Sequence, residues 1–202
     1  MKQSYKAHPW HGIPVGEKAP EIVTAFIEIV PTDTVKYEID KETGYLKIDR
    51  PQQYSNVIPA LYGFIPQTYC GEHIAKLASE KAGRTVEKGD GDPIDICVLT
   101  EREITHGDII LQAIPIGGFR LIDKGEADDK IIAVLKGDAM YGQYDDLTDL
   151  PPAVTKRLQH YFLTYKNLPG EKAHTEITNV YGREEAQQVI EASLKDYAEL
   201  AI

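Results

Sequence analysis

Cysteine, tryptophan, long apolar runs and positive charge are all scarce in this chain. Two cysteines, Cys70 and Cys97, occur in 202 residues, with no CxxC spacing. That argues against a disulfide framework, and two lone thiols fit a reducing compartment. No run of about 18 or more apolar residues exists, so no transmembrane helix is expected. The opening MKQSYKAHPWHGIPVGEKAP lacks the apolar centre of a secretory signal, and a cytoplasmic location is expected. Six histidines show neither HExxH nor another close ligand spacing, which speaks against a zinc enzyme. Lysine and arginine number 22 against 32 acids, a formal net charge of −10. Such a surface repels nucleic acid and acidic membranes, so neither is an expected partner.

What is present reads as one soluble domain over residues 1–202, with enough chain to bury one substantial core. Residues 1–20 hold three prolines and the only tryptophan, Trp10, and read as an irregular arm laid over that core. Strand signals begin with IVTAFIEIV, apolar except for Thr24 and Glu28. VKYEID alternates, KETG reads as a turn, and YLKID as the returning strand of a hairpin. LYGFIP, IDICVL, DIILQAIPIGGF and KIIAVL are further strands. Residues 67–89 form a long polar insertion in which EHIAKLASEK has the makings of a short helix. PPAVTKRLQHYFLTYK and REEAQQVIEASLKDYAEL carry apolar stripes at helical spacing. Short strands followed by two helices predict an α+β, β-rich fold around a small curved sheet or barrel.

Two acidic groups stand out. In EKGDGDPIDICVL, Asp90 and Asp92 precede Pro93 at a loop-to-strand junction, and Gly91 permits a tight turn. Asp95 then shares a strand face with Cys97 and Leu99, where an ionised carboxylate needs a cation, an arginine or several donors. The bland alternative is a capped turn with one internal salt bridge. The spacing is not that of an EF-hand, because Pro93 and Ile94 take its fourth and fifth positions and no glycine holds the sixth. The oxygen donors suit magnesium or manganese. In RLIDKGEADDKIIAVL, Asp123, Asp128 and Lys130 flank a turn that could equally be a solvated hairpin tip. Carboxylates crowded in this way repel one another, and divalent ions remove the penalty. Lys36 with Glu38 and Arg50 with Asp49 fit cross-strand charge pairing. Tyr165 fits core packing and Lys166 a helix C-terminus.

DGDPIDICVL, together with IEIVP, VKYEIDKETG, KIDR, LYGFIP, IDKGEADDK and HYFLTYK in that order, resembles the soluble family I inorganic pyrophosphatases. The resemblance runs from about Glu21 to the final helix. It implies a five-stranded OB-like barrel with helices packed outside, and hydrolysis of pyrophosphate to two orthophosphates by a multi-magnesium site. Matched block by block, Asp90, Asp95 and Asp128 would hold the activating metal, with Asp95 also touching a second. Asp92 would be general base toward the metal-bridged water. Asp123 and Asp128, with Glu28 and Glu38, would serve ions arriving with substrate. Lys36, Arg50, Tyr62, Lys130, Tyr165 and Lys166 would hold phosphoryl oxygens. The family also implies a homo-oligomer. Two departures are Ile58, where bacterial members commonly carry tyrosine, and the length of the 67–89 insertion. The seven proposed acids against four lysines and arginines leave −3. Pyrophosphate adds roughly three to four negative charges, so near-neutrality needs about three or four magnesium ions, with manganese as a substitute. A different metal-dependent phosphohydrolase and a non-enzymatic metal-binding scaffold are the competing readings.

Overall fold

The computed structural model describes residues 6–166, 168, 170–171 and 174–200. The first five residues of the predicted arm and the last two of the predicted domain lie outside that set. In chain order the elements are β1 (Val23–Ile29), β2 (Val35–Ile39), β3 (Leu46–Pro51), β4 (Leu61–Phe64), α1 (Glu72–Ala82), β5 (Asp95–Leu99), β6 (Ile109–Asp123), β7 (Glu126–Ala127), β8 (Lys130–Leu135), α2 (Pro152–Thr164), β9 (Thr175–Gly182) and α3 (Arg183–Ala198). β1 pairs with β4, β4 with β5, β5 with β8, β8 with β6, and β6 returns to β1. Five strands therefore close into a ring, as the OB-like expectation required. β2 and β3 form a separate hairpin.

Strand alternation divides the apolar residues into two populations. Ile96 and Val98 of β5 fill the barrel interior with Val23, Ala25, Ile27, Ile131 and Ala133. Cys97 and Leu99 face outward with Phe119, Ile132 and Val134, beneath Leu158, Tyr161 and Phe162 of α2. Both faces of β5 are thus buried, and each buried aliphatic side chain contributes about 1.5–3 kcal/mol. β5 and β8 run parallel, with Asp95 opposite Lys130. By alternation Asp95 and Lys130 lie on the outer face, at the start of their strands.

The predicted insertion at 67–89 is largely helical. Ile74 and Ala78 of α1 join Val189 and Ile190 of α3 in the same cluster as the barrel interior. In the N-terminal arm, Trp10 is buried against Phe26, Ile39 and Phe64. Both cysteines are buried free thiols. The sequence reading placed no strand between the two late helices, yet β9 lies there, antiparallel to β6. Its polar run TEITN hides it, since only Thr175 and Tyr181 of the strand are fully buried. Among the described residues, no helix is long and apolar enough to cross a membrane.

One close approach sets the spacing of β1 and β4. A Cβ on Gly63 would lie 1.9 Å from the Phe26 carbonyl oxygen. Gly63→Ala is expected to force the two strands apart and cost about 1–3 kcal/mol, read as a lower denaturant midpoint at unchanged slope.

Candidate active site

Twelve of the thirteen predicted site residues line one open pocket of about 350 Å³, on the outer edge of the barrel. Six strands (β1, β2, β4, β5, β6 and β8) and three connecting segments deliver them. Register shifts between Ile27 and Ile29 where β1 meets β4, a bulge that leaves Glu28 unpaired and aims it at the pocket. The loop before β5 contributes Asp90 and Asp92, folded back on itself by a bond from the Asp92 N–H to Asp90 Oδ1 at 3.0 Å. Gly91 between them has φ +77°, the left-handed region that glycine enters without strain. Asp95 begins β5, Asp123 ends β6, and Asp128 and Lys130 stand where β8 begins. Tyr165 and Lys166 directly follow α2, with the Tyr165 N–H still donating to the Tyr161 carbonyl.

The centre is a knot of ionised groups. Lys130, 4% exposed, donates to both Asp95 and Asp128. The Tyr62 hydroxyl donates to Asp95 Oδ2 at 2.6 Å. Lys166 Nζ donates to Asp123 Oδ2 at 2.7 Å and lies 5.3 Å from the Tyr165 ring centroid. Tyr165 itself stacks on Tyr161 at 5.0 Å, so the packing expected of it and a place in the pocket are both realised. On the hairpin, Lys36 donates to Glu38 Oε2 and Asp49 Oδ2, each at 3.0 Å. Arg50 is the residue that does not line the pocket. It faces Lys36 across the hairpin and donates to the same Asp49 oxygen at 2.6 Å. Asp49, also outside the pocket lining, accepts from both of these bases, so the Arg50–Asp49 pairing expected on the hairpin is present and extends to Lys36. Lys41, Lys124 and Glu126 also line the pocket unforeseen, and Lys41 forms an ion pair with Asp92. Ile58 is buried in the apolar layer under α2, so it is a packing residue and takes no part in the pocket wall.

Charge is poorly balanced here. Burial, with Asp128 beside it, pushes the Asp90 carboxyl up to about 9. Burial also raises Asp128 despite Lys130. Glu28 is raised to about 8, chiefly by burial, although Ile39 N–H donates to it at 2.7 Å. Burial would pull Lys130 down, but Asp128 and Asp95 hold it well above the ordinary lysine value. Tyr62 is raised well above the usual phenol range by burial and by Asp95, and stays a hydrogen-bond donor. Among the described residues no three acidic, histidine or cysteine side chains stand close enough to hold a metal ion as arranged, and the Lys130 ammonium occupies the place where Asp95 and Asp128 converge. The donors themselves are hard oxygens with surplus negative charge, a set that fits a divalent cation.

Residues 25–198 match the family model described as inorganic pyrophosphatase. The chain belongs to the inorganic pyrophosphatase family. It is 52% identical over 198 residues to the inorganic pyrophosphatase of Chlamydia muridarum, across 96% of this chain and 95% of that protein. Soluble inorganic pyrophosphatase 1 of Arabidopsis thaliana is 36% identical over 198 residues, 98% of this chain and 84% of its own. The crystal structure of the Thermus thermophilus inorganic pyrophosphatase superposes with a TM-score of 0.78 at 30% identity, covering 95% of this chain and 99% of that one. These pyrophosphatases span the barrel, the pocket and the helices together.

The raised Glu28 gives a signed pH dependence. Its neutral form is favoured in the folded state, so its contribution to stability is fullest below the ordinary value of 4.5 and is lost as pH rises through about 8. In chelator, Glu28→Gln should gain thermal stability relative to the parent between about pH 5.5 and about pH 8.5. A difference in melting temperature that stays constant over that range would contradict this account.

Proposed function

We propose that this pyrophosphatase hydrolyses inorganic pyrophosphate to two orthophosphates in the pocket described, with Asp92 as general base and magnesium as the metal. The observation that supports the reading is the convergence on one acidic pocket of twelve side chains that the family resemblance singles out from blocks far apart in the chain. Asp90, Asp95 and Asp128 would hold the activating metal, and Asp123, Glu28 and Glu38 the ions that accompany substrate. About three or four divalent ions would neutralise the site with substrate bound. Magnesium bound there would lower the pKa of a bound water and neutralise charge on the phosphoryl oxygens.

The chain's own residues do the rest. The Asp92 carboxylate is half exposed to the pocket, has a lysine as its partner, and takes the proton of the attacking water as the new oxygen–phosphorus bond forms. The bridging bond breaks and the second phosphate leaves. Lys36 from β2 and Lys166 from the end of α2 both line the pocket and would place positive charge against phosphoryl oxygens. Arg50, outside the pocket lining, faces Lys36 across the hairpin and shares Asp49 with it. Tyr62 and Tyr165 donate hydrogen bonds. Lys130 is buried deepest of the cations and balances the carboxylates from below.

The deciding assay is orthophosphate release from pyrophosphate with magnesium, against a chelated control and an ATP control. Metal-dependent release that prefers pyrophosphate is expected, and no release with magnesium or manganese from folded protein would overturn the proposal. Asp92→Asn should lower kcat by roughly a hundredfold or more at unchanged thermal stability. Near-normal turnover in that variant would remove Asp92 from its role. Asp95→Asn should raise the magnesium concentration for half-maximal rate by about tenfold or more, which a magnesium titration of the rate reads directly.

A further inference from the structure

The loop bearing Asp90 and Asp92 is held from outside the pocket by a residue near the end of the chain. Asp196, on the last turn of α3, is 5% exposed. Its carboxylate accepts the N–H groups of Gly71 at 2.9 Å and Ile74 at 3.0 Å through Oδ2, and of His73 at 2.8 Å through Oδ1. α1 has no side-chain cap of its own. Asp196 therefore supplies from another helix the carboxylate that satisfies its first-turn donors and matches its dipole.

The bonded peptide unit is the important one. Gly71 N–H and the Cys70 carbonyl belong to the same rigid plane. While the N–H end is tied to Asp196, the carbonyl end accepts from Gly91 N–H at 3.1 Å, and Cys70 N–H donates to the Asp92 carbonyl at 2.8 Å. Cys70 thus brackets the turn that carries Asp90, Gly91 and Asp92. Contact is close enough that a Cβ on Gly89 would lie 2.2 Å from the Cys70 oxygen. A second tie runs from Tyr69 N–H to the Ser193 carbonyl of α3 at 3.0 Å.

We infer that Asp196 is a positioning residue for the acidic loop, setting through the Cys70–Gly71 peptide the spacing of Asp90 and Asp92 on which metal activation depends. This rests on the proposed pyrophosphate hydrolysis. It also gives the 67–89 insertion a purpose: a brace between the last helix and the loop.

The test compares the magnesium dependence of pyrophosphate hydrolysis in the parent protein, Asp196→Ala, Asp196→Asn and Val189→Ala. Val189 lies in the apolar core of α3 and touches none of these bonds, so it controls for lost stability alone. Asp196→Ala should raise the magnesium concentration for half-maximal rate by about tenfold, with protection of the Cys70 and Gly91 amides against hydrogen exchange reduced. Asp196→Asn, which keeps an oxygen for Gly71 and Ile74, should fall between Asp196→Ala and the parent. It also keeps the comparison intact should the alanine variant not fold. Val189→Ala should melt earlier with the parent's magnesium dependence. Unchanged magnesium dependence in a folded Asp196 variant, or an equal shift in Val189→Ala, would overturn the inference. Absence of hydrolysis by the parent would instead overturn the proposed function, which keeps the two failures apart.

Discussion

The parallel register that sets Asp95 against Lys130 is the contact on which the site depends. It brings an ammonium, 4% exposed, between two carboxylates in a corner where water is scarce. Ions withdrawn from water in this way cost several kcal/mol each unless paired and hydrogen-bonded. Lys130 pairs with both acids and Tyr62 adds a donor to Asp95, yet Asp90 and Asp128 still have raised pKa values. The site is therefore short of positive charge by construction. That shortage makes it receptive to divalent cations and inhospitable to a bare anion.

Barrel geometry explains how so much polarity is tolerated beside a tightly packed core. Inward side chains of the five strands are aliphatic, and the outward ones of β5 and β8 are aliphatic too, once α2 covers them. The first outward positions of these two strands are Asp95 and Lys130, and the Lys130 ammonium lies 5.9 Å from the centroid of the Phe162 ring of α2 at the margin of that cover. The bulge in β1 works to the same end. It turns Glu28 toward the pocket while Ile29 joins the outer layer and Val30 the inner one.

A second buried ionic network lies one residue away. Arg120, 1% exposed, donates to Asp129 at 3.0 Å and to Glu185 at 2.8 Å, and the Tyr181 hydroxyl donates to Asp129 at 3.0 Å. Alternation sends Asp128 and Lys130 to the pocket and Asp129 to the opposite side, so the run DDK is anchored from both faces. With Asp129 tied to β6 and β9, and through Arg120 to Glu185 of α3, the backbone that presents Asp128 and Lys130 has little freedom to shift. On the other side of the pocket, Asp196 and the Cys70 peptide restrain Asp90 and Asp92. The two halves of the acidic cluster are thus braced by separate parts of the C-terminal helix.

Period-two alternation and apolar content made β1 to β6 and β8 legible along the chain, and helical stripes made α2 and α3 legible. The acidic groups could be read because an aspartate on a buried strand face is unusual enough to demand a cation. β9 was not legible, because a strand paired on one side, with few buried positions, has no apolar pattern to display. Pocket membership was equally invisible for Lys41, Lys124 and Glu126, whose local sequence is that of any charged turn. Arg50 shows the converse, since its block places it with the site while the fold leaves it on the rim beside Asp49. The sequence by itself determined which segments become strands and helices and which carboxylates need a partner, because those depend on periodicity and on the cost of burying charge. Only the tertiary structure decided the register of Asp95 against Lys130, the bulge at Glu28 and the reach of Asp196 to α1, because each depends on contacts between residues far apart in the chain.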